Sequence, residues 1–465
     1  MAKETELKLL LQPDDHNRLD ALMQELNARP QAIQRLENIY FDTPDFDLNQ
    51  ARAALRLRFT GKEWLQTLKT SGTNHGALSQ RGEWEMPVKN AALQPELLPQ
   101  EVLTPVLIKA LQPQFTTHFT RRTWLWSSAE AEIEIAADLG EVALADGSPR
   151  DLKRKDSLSE LELELKQGDP QALFDLAKIL ATRLTLHPGL ASKAERGLRL
   201  IRGARPAENN NPVNNNGQAT VDLNQLAVQQ LNSWIQAHEN WAFNAAEEEL
   251  HHAQRAMLRL HALLVMQQRL NPAVCLGQAR IQIKKLLKVF NPLVLDSWRD
   301  KSLQQLQLQE PAASWRVQQL GYAARRASYR QIWQELWVGQ ATLELMQTLY
   351  TQAQRPAAAP THPIKLLQAA CAHLRFPRQP LHCPVWLQRY PALVRLELLI
   401  QQVQPENTQD QKRTRQLLQG IERLSGDVAL QQQTNLPQSI KEQLEQQIKT
   451  QLLDLGRLAQ ALWTE

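Results

Sequence analysis

Apolar and polar residues alternate with a period of two through much of the first two hundred positions. Glu4-Thr5-Glu6-Leu7-Lys8, Leu55-Arg56-Leu57-Arg58, Leu65-Gln66-Thr67-Leu68-Lys69 and Glu160-Leu161-Glu162-Leu163-Glu164-Leu165 all follow it. That period predicts β-strands with one polar and one apolar face. Helices are predicted between them, near His16 to Leu26 and Pro170 to Leu184. Beyond residue 220 the pattern changes to long stretches rich in Leu, Gln, Ala and Arg with few glycines, which predict helices. The two patterns are separated by Gly203 to Thr220, where Asn209-Asn210-Asn211-Pro212 and Asn214-Asn215-Asn216-Gly217 cannot pack a core and read as a flexible linker. The expected organisation is an α+β domain over residues 1–203, a linker over 204–220 and an all-helical domain over 221–465. A loop near 351–363, with Arg355-Pro356 and Pro360, is expected to divide the helical half again.

The polar faces of the strands carry charge sorted by sign. Successive strand side chains point to opposite sides, so residues of equal parity share a face. Glu4, Glu6 and Lys8 share one, as do Arg56 with Arg58, Thr67 with Lys69, and Arg81 with Glu83 and Glu85. Glu160, Glu162 and Glu164 form a purely acidic face, and Glu132, Glu134 and Asp138 extend the same pattern. A face washed by solvent would mix signs and include more Ser, Thr and Gln. Carboxylates spaced about 7 Å along one strand repel one another unless a cation lies among them. Hard divalent cations choose carboxylate oxygen, while guanidinium and ammonium groups choose phosphate. A sheet closed around such a face would form a tunnel, acidic on one side and basic on the other, suited to a polyanion bridged to metal.

These residues resemble the CYTH family, the triphosphate tunnel metalloenzymes. Glu4-x-Glu6-x-Lys8 resembles its ExExK signature. Arg56 and Arg58, Thr67-Leu68-Lys69, Gln80-Arg81-x-Glu83, Phe119-x-Arg121, Glu134 to Asp138-x-Gly140, Glu160 to Leu165 and Ala191-Ser192-Lys193 follow in the family's order. The resemblance spans roughly residues 1–203. It implies a closed antiparallel β-barrel of about eight strands with flanking helices, whose tunnel binds a triphosphate with one or two ions of Mg2+ or Mn2+. It implies Glu4, Glu6, Asp138, Glu160, Glu162 and Glu164 as metal ligands. Arg56, Arg58, Arg121 and Lys193 would bind phosphate, and Lys8, Lys69, Arg81, Glu83 and Glu85 would serve catalysis, Glu83 or Glu85 orienting water. A CYTH domain followed by helices is similar to the arrangement of bacterial inorganic triphosphatases, so hydrolysis of inorganic triphosphate is the first expectation. Thiamine triphosphate hydrolysis, adenylate cyclisation, and a non-catalytic scaffold that binds polyphosphate are the alternatives.

In the helical half, His252, Arg255 and Arg259 fall on one helical face beside His251, and Arg280, Lys284 and Lys288 repeat every four residues with Lys285 adjacent. They resemble the basic, histidine-containing helices of CHAD domains, which implies polyphosphate as a further partner. Cys371-Ala372-His373-Leu374-Arg375 is no clean match to a second such helix. Trp298, Trp315, Trp333 and Trp337 are expected in the helical core.

Composition narrows the field. The net charge of +4 over 465 residues is small, so no general polycation is present and nucleic acid is not an expected partner. Cys275, Cys371 and Cys383 include no CxxC pair, which argues against a disulfide framework and a thiolate zinc site. Charges at the first residues and the lack of an apolar run of about 20 residues point to the cytoplasm and away from the membrane. No Walker sequence and no Ser-His-Asp arrangement is evident.

Overall fold

The computed structural model describes residues 2–75, 78–97, 104–144, 155–203, 222–306, 311–355, 382–403, 408–433 and 436–462. The predicted linker 204–220, most of the 351–363 loop, Cys371, His373 and Arg375 lie outside the described residues, as do the side chains of Glu4, Arg81 and Trp315. Two compact units emerge. The first comprises Met1–Pro206 with Ala242–Asn244 and Glu335–Gln347, and the second holds the remainder.

The period-two segments form one antiparallel sheet. Its strands are β1 (Ala2–Leu11), β2 (Arg29–Asp42), β3 (Ala54–Phe59), β4 (Trp64–His75), β5 (Leu78–Val88), β6 (Gln112–Ser127), β7 (Glu132–Leu144), β8 (Lys155–Gln167) and the short β9 (Leu186–Pro188). They lie in the order β5-β4-β3-β2-β6-β7-β8-β1-β9. β5 pairs in addition with β1, from Ala2↔Glu83 to Leu7↔Leu78. The expected α+β architecture, an antiparallel sheet followed by helices, therefore holds.

The sheet reverses the usual arrangement of faces. Its charged face lines a cavity, and its apolar face packs outward beneath helices. Leu7, Leu9, Leu161, Leu163, Ile133 and Ile135 are completely buried on that outward face. The helix predicted over 170–184 appears as Gln171–Ala181 and packs on β1 and β8. Leu173, Leu176, Ala177 and Leu180 recur at three- and four-residue spacing on its buried side. Each fully buried leucine there contributes about 1.5–3 kcal/mol. The predicted 16–26 helix is a 3-10 turn at Pro13–Arg18 followed by a helix at Leu19–Glu25.

A second helix, Lys193–Arg202, is packed against the lining side. Ser192 caps it: its hydroxyl accepts from the Glu195 amide at 3.2 Å, and its amide donates to Glu195 Oε2 at 2.7 Å, a capping box that fixes where the helix starts. Leu200, with Ala194, Leu198 and Ile201, packs on Tyr40, Phe115, Val142 and Leu144. Gly197 makes this approach possible, since a Cβ there would lie 2.2 Å from the Phe115 ring.

The second unit is built from long helices. Among the described residues the helices of the C-terminal half are Leu223–Asn244, Glu247–Leu270, Gly277–Gln305, Pro311–Gln334, Leu336–Ala353, Cys383–Val403, Gln409–Gln431 and Gln438–Ala461, of which residues 242–244 and 336–347 belong to the first unit. Trp298 and Trp333 are buried, as expected of core residues, whereas Trp337 is only half-buried. Among the described residues, no helix is long and apolar enough to cross a membrane.

Candidate functional site

The charged sheet face and the start of the Lys193–Arg202 helix enclose a cavity of about 280 Å³. Of the residues predicted for the site, Glu6, Lys8, Arg56, Arg58, Lys69, Glu83, Glu85, Arg121, Glu162, Glu164 and Lys193 all line it. Asp138 and Glu160 do not; both side chains are 0 % exposed. Tyr40, Thr67, Glu134 and Ser192 join the lining. Tyr40 was not singled out from the sequence. It lies in register opposite Arg56, as Asn38 lies opposite Arg58, so strand pairing is the signal that finds it.

Charge is distributed by wall. Glu6, Glu134, Glu162 and Glu164 come from the adjacent strands β1, β7 and β8, while Arg56, Arg58 and Lys69 come from the adjacent β3 and β4. Behind the acidic wall lies a dense ionic cluster. The Lys193 ammonium contacts Glu160, Asp138 Oδ2 at 2.8 Å and Glu162 Oε1 at 3.0 Å. Arg121 donates from Nε and Nη2 to the two Asp138 oxygens, both at 2.7 Å, and from Nη2 to Glu162 Oε2 at 2.5 Å. Lys8 stands 3.7 Å from Glu162. Burial opposes the charge of Asp138 and Glu162, but Lys193 and Arg121 outweigh it and hold both carboxyls below the ordinary range. Burial likewise opposes the Lys193 charge, and Asp138, Glu160 and Glu162 more than offset it, raising that pKa.

The basic wall is less compensated. Glu83 lies 3.5 Å from Lys69 and 3.9 Å from Arg56, and Glu85 accepts from the Thr67 hydroxyl at 3.0 Å. Arg58 donates to the neutral Asn38 Oδ1 at 3.0 Å. Burial, then the neighbouring Arg56 and Arg121, lower its pKa to about 10. Burial raises the Tyr40 phenol, but Arg56, Lys193 and Arg58 prevail and leave it lowered. The Arg56 Nε is buried without a hydrogen-bond partner. Such a wall favours an anion with several oxygens.

Two acidic groupings fit a divalent cation differently. Asp138, Glu160 and Glu162 bring carboxylate oxygens within 4.8 Å of one another, the right donor type for Mg2+ or Mn2+. Lys193 and Arg121 already occupy them. Glu6, Glu164 and Glu134 form a second row across three adjacent strands, paired in register Glu6↔Glu164 and Glu164↔Glu134. All three line the cavity, and the exposed Lys166 is the cation that pairs with Glu164 at 2.8 Å and Glu134 at 3.8 Å.

The basic stripe predicted in the helical half is largely spent on internal pairs. Arg259 donates to Glu397 at 2.8 Å, and Arg255 pairs with Glu422. His251 is buried with its Nε2 3.1 Å from Ser297 Oγ. Burial, then Lys301, Arg255, His252 and Arg325, hold its pKa well below the usual histidine value. Lys284, Lys285 and Lys288 remain exposed.

The first unit is thus an antiparallel sheet whose charged face lines a cavity. Residues 2–198 match the CYTH domain family, and this segment is a CYTH domain. A curated relative, the inorganic triphosphatase of Haemophilus influenzae, is 33% identical over 203 residues, 42% of this chain and 54% of that protein. The chain thus spans about half the length of the relative it matches. Among solved structures, a Hippeastrum protein described as having a dominant triphosphatase activity is 18% identical over 43% of this chain and 98% of its own, with a TM-score of 0.34. An adenylate cyclase candidate from Bacillus halodurans is 19% identical over 39% and 91%, with a TM-score of 0.26.

Proposed function

We propose that this chain hydrolyses the terminal phosphate of inorganic triphosphate with a divalent cation, Mg2+ or Mn2+, in a tunnel formed by the sheet. The observation that carries the reading is the opposition of an acidic and a basic wall across one cavity. The β1–β5 pairing supports closure of the sheet into a tunnel, and the relative named an inorganic triphosphatase supports the substrate.

In this reading Glu6, Glu164 and Glu134 hold the cation. When bound, such an ion neutralises phosphate charge and polarises a phosphoryl oxygen. Arg56, Arg58, Lys69 and Lys8 grip the phosphate oxygens, leaving the terminal phosphorus facing β5. Water attacks that phosphorus as the bond to the bridging oxygen breaks. Glu85, or Glu83, orients the water and takes its proton, and the basic wall stabilises the departing diphosphate. Residues 221–465, apart from 242–244 and 335–347, which belong to the first unit, would form a separate domain, with the exposed Lys284, Lys285 and Lys288 supporting a polyphosphate-recruiting part.

The test is phosphate release from tripolyphosphate, thiamine triphosphate and ATP, with Mg2+ or Mn2+ and with chelator. Metal-dependent turnover of tripolyphosphate, lost in Glu6→Ala while the fold is kept, is the expected result. Near-normal turnover in Glu6→Ala removes the proposed metal row. Binding of polyphosphate without turnover of any of the three moves the reading to a non-catalytic scaffold.

A further inference from the structure

Along β8 the side chains of the charged face become steadily more exposed: Glu160 0 %, Glu162 13 %, Glu164 28 % and Lys166 36 %. The cavity is thus closed towards Glu160 and open towards Lys166. At the closed end the carboxylates are held by Lys193 and Arg121, which are themselves buried or nearly so. At the open end Glu164 sits in register between Glu6 and Glu134. Residues directly opposite on antiparallel strands hold their Cβ atoms roughly 4.5–5.5 Å apart, so three carboxylates stand in one row, an arrangement that draws in a cation. Lys166 reaches this row, with its Nζ 2.8 Å from Glu164 Oε1 and 3.8 Å from Glu134 Oε1.

We propose that Lys166 is a displaceable counter-ion of the metal site: it holds Glu164 and Glu134 when no metal is bound and gives them up to an entering divalent cation. The inference rests on the metal-dependent reading above and goes further, since it assigns a residue that competes with the metal instead of binding it. An ammonium has three donors and no acceptor, so Lys166 cannot ligate while protonated. It can only occupy the oxygens that would. Its exposure and flexible stem let it swing into solvent, and an ion pair so exposed is held weakly. Lys193 does not share this freedom, because it is 6 % exposed and touches three carboxylates. The metal affinity of the chain is therefore set below what its carboxylates alone would give, and it is adjustable at a single position.

The experiment titrates Mn2+ into the full-length chain without triphosphate, following heat of binding and the free-ion EPR signal. Wild type, Lys166→Gln, Lys166→Arg and Glu6→Gln are compared. Lys166→Gln is expected to bind Mn2+ about two- to fivefold more tightly, the factor set by a partly exposed ion pair. The gain should shrink as salt screens the charge, and Lys166→Arg should stay near wild type. Unchanged or weaker binding by Lys166→Gln, with Glu6→Gln still impairing wild-type binding, overturns the counter-ion role alone. Mn2+ binding that ignores Glu6→Gln places the ion elsewhere and overturns the proposal, and no binding by any of the four overturns the metal-dependent reading and this inference together.

Discussion

Replacing Lys193 by methionine keeps an unbranched stem one atom shorter and removes the ammonium from among Asp138, Glu160 and Glu162. Asp138 and Glu160 are fully buried, and Lys193 is 6 % exposed, so solvent cannot replace the lost charge. Removing one partner from a buried ionic group costs about 3–5 kcal/mol, because the remaining charge stays buried without its counter-ion. Arg121 still holds Asp138 and Glu162, which places the expected loss towards the lower figure. The pH dependence identifies the cause. In the wild type, Asp138 and Glu162 have lowered pKa values. Their contribution is present above the unfolded carboxylate value of about 4 and is lost as pH falls through the folded value. The raised lysine contributes fully below about pH 10, so it is constant across the neutral range. Without the ammonium, burial is opposed by fewer charges and the carboxyls rise, so they take up protons more readily on acidification and shed part of their penalty. The gap between wild type and Lys193→Met should therefore be widest near pH 8 and narrow towards pH 5. Urea unfolding followed by circular dichroism at both pH values measures it, read on the transition that carries the β-sheet signal because a chain with two units need not unfold in one step. A gap below about 1 kcal/mol at pH 8, or one that widens towards pH 5, refutes the assignment of Lys193 as the neutralising charge of this cluster.

Arg58→Met removes the least compensated guanidinium of the basic wall, so the thermal stabilisation of the chain by tripolyphosphate should fall by several degrees at fixed ligand concentration; an unaltered shift in differential scanning fluorimetry places the anion elsewhere. Gly197→Ala drives a Cβ into the Phe115 ring and should cost about 1–3 kcal/mol by overpacking, measured by urea unfolding of the first unit. Arg259→Met takes its nearest cation from Glu397, which is 4 % exposed, and leaves it the more distant Arg415 at 3.9 Å, so the helical unit should lose about 3 kcal/mol, the low end for a broken buried pair. Phosphate release under conditions where that unit remains folded should be unaffected, and a selective loss of turnover would tie Arg259 to catalysis.

What the sequence made legible was governed by periodicity. Alternation is a local property, so the acidic face of β8 and the Arg56–Arg58 face of β3 could be read directly, and the structure brings both into one cavity. Depth along a strand is not local. Glu160, Glu162 and Glu164 look identical in the chain, yet their exposures differ because the Lys193–Arg202 helix covers one end and solvent reaches the other. For the same reason Asp138 could not be told apart from a lining residue such as Glu134: the pairings Asp138↔Glu160 and Glu134↔Glu164 give each the depth of its β8 partner. Tyr40 was hidden for a different reason. It lies on a strand without charge alternation, and only the register opposite Arg56 gives its phenol chemical surroundings. The helical half shows the limit of face-based reasoning most clearly. Spacing placed Arg255 and Arg259 on one stripe, but their partners Glu422 and Glu397 lie more than a hundred residues away. A helical stripe looks the same whether it faces solvent or an acidic neighbour, so charge at that spacing identifies a ligand surface only after packing has shown which of the charges remain uncommitted.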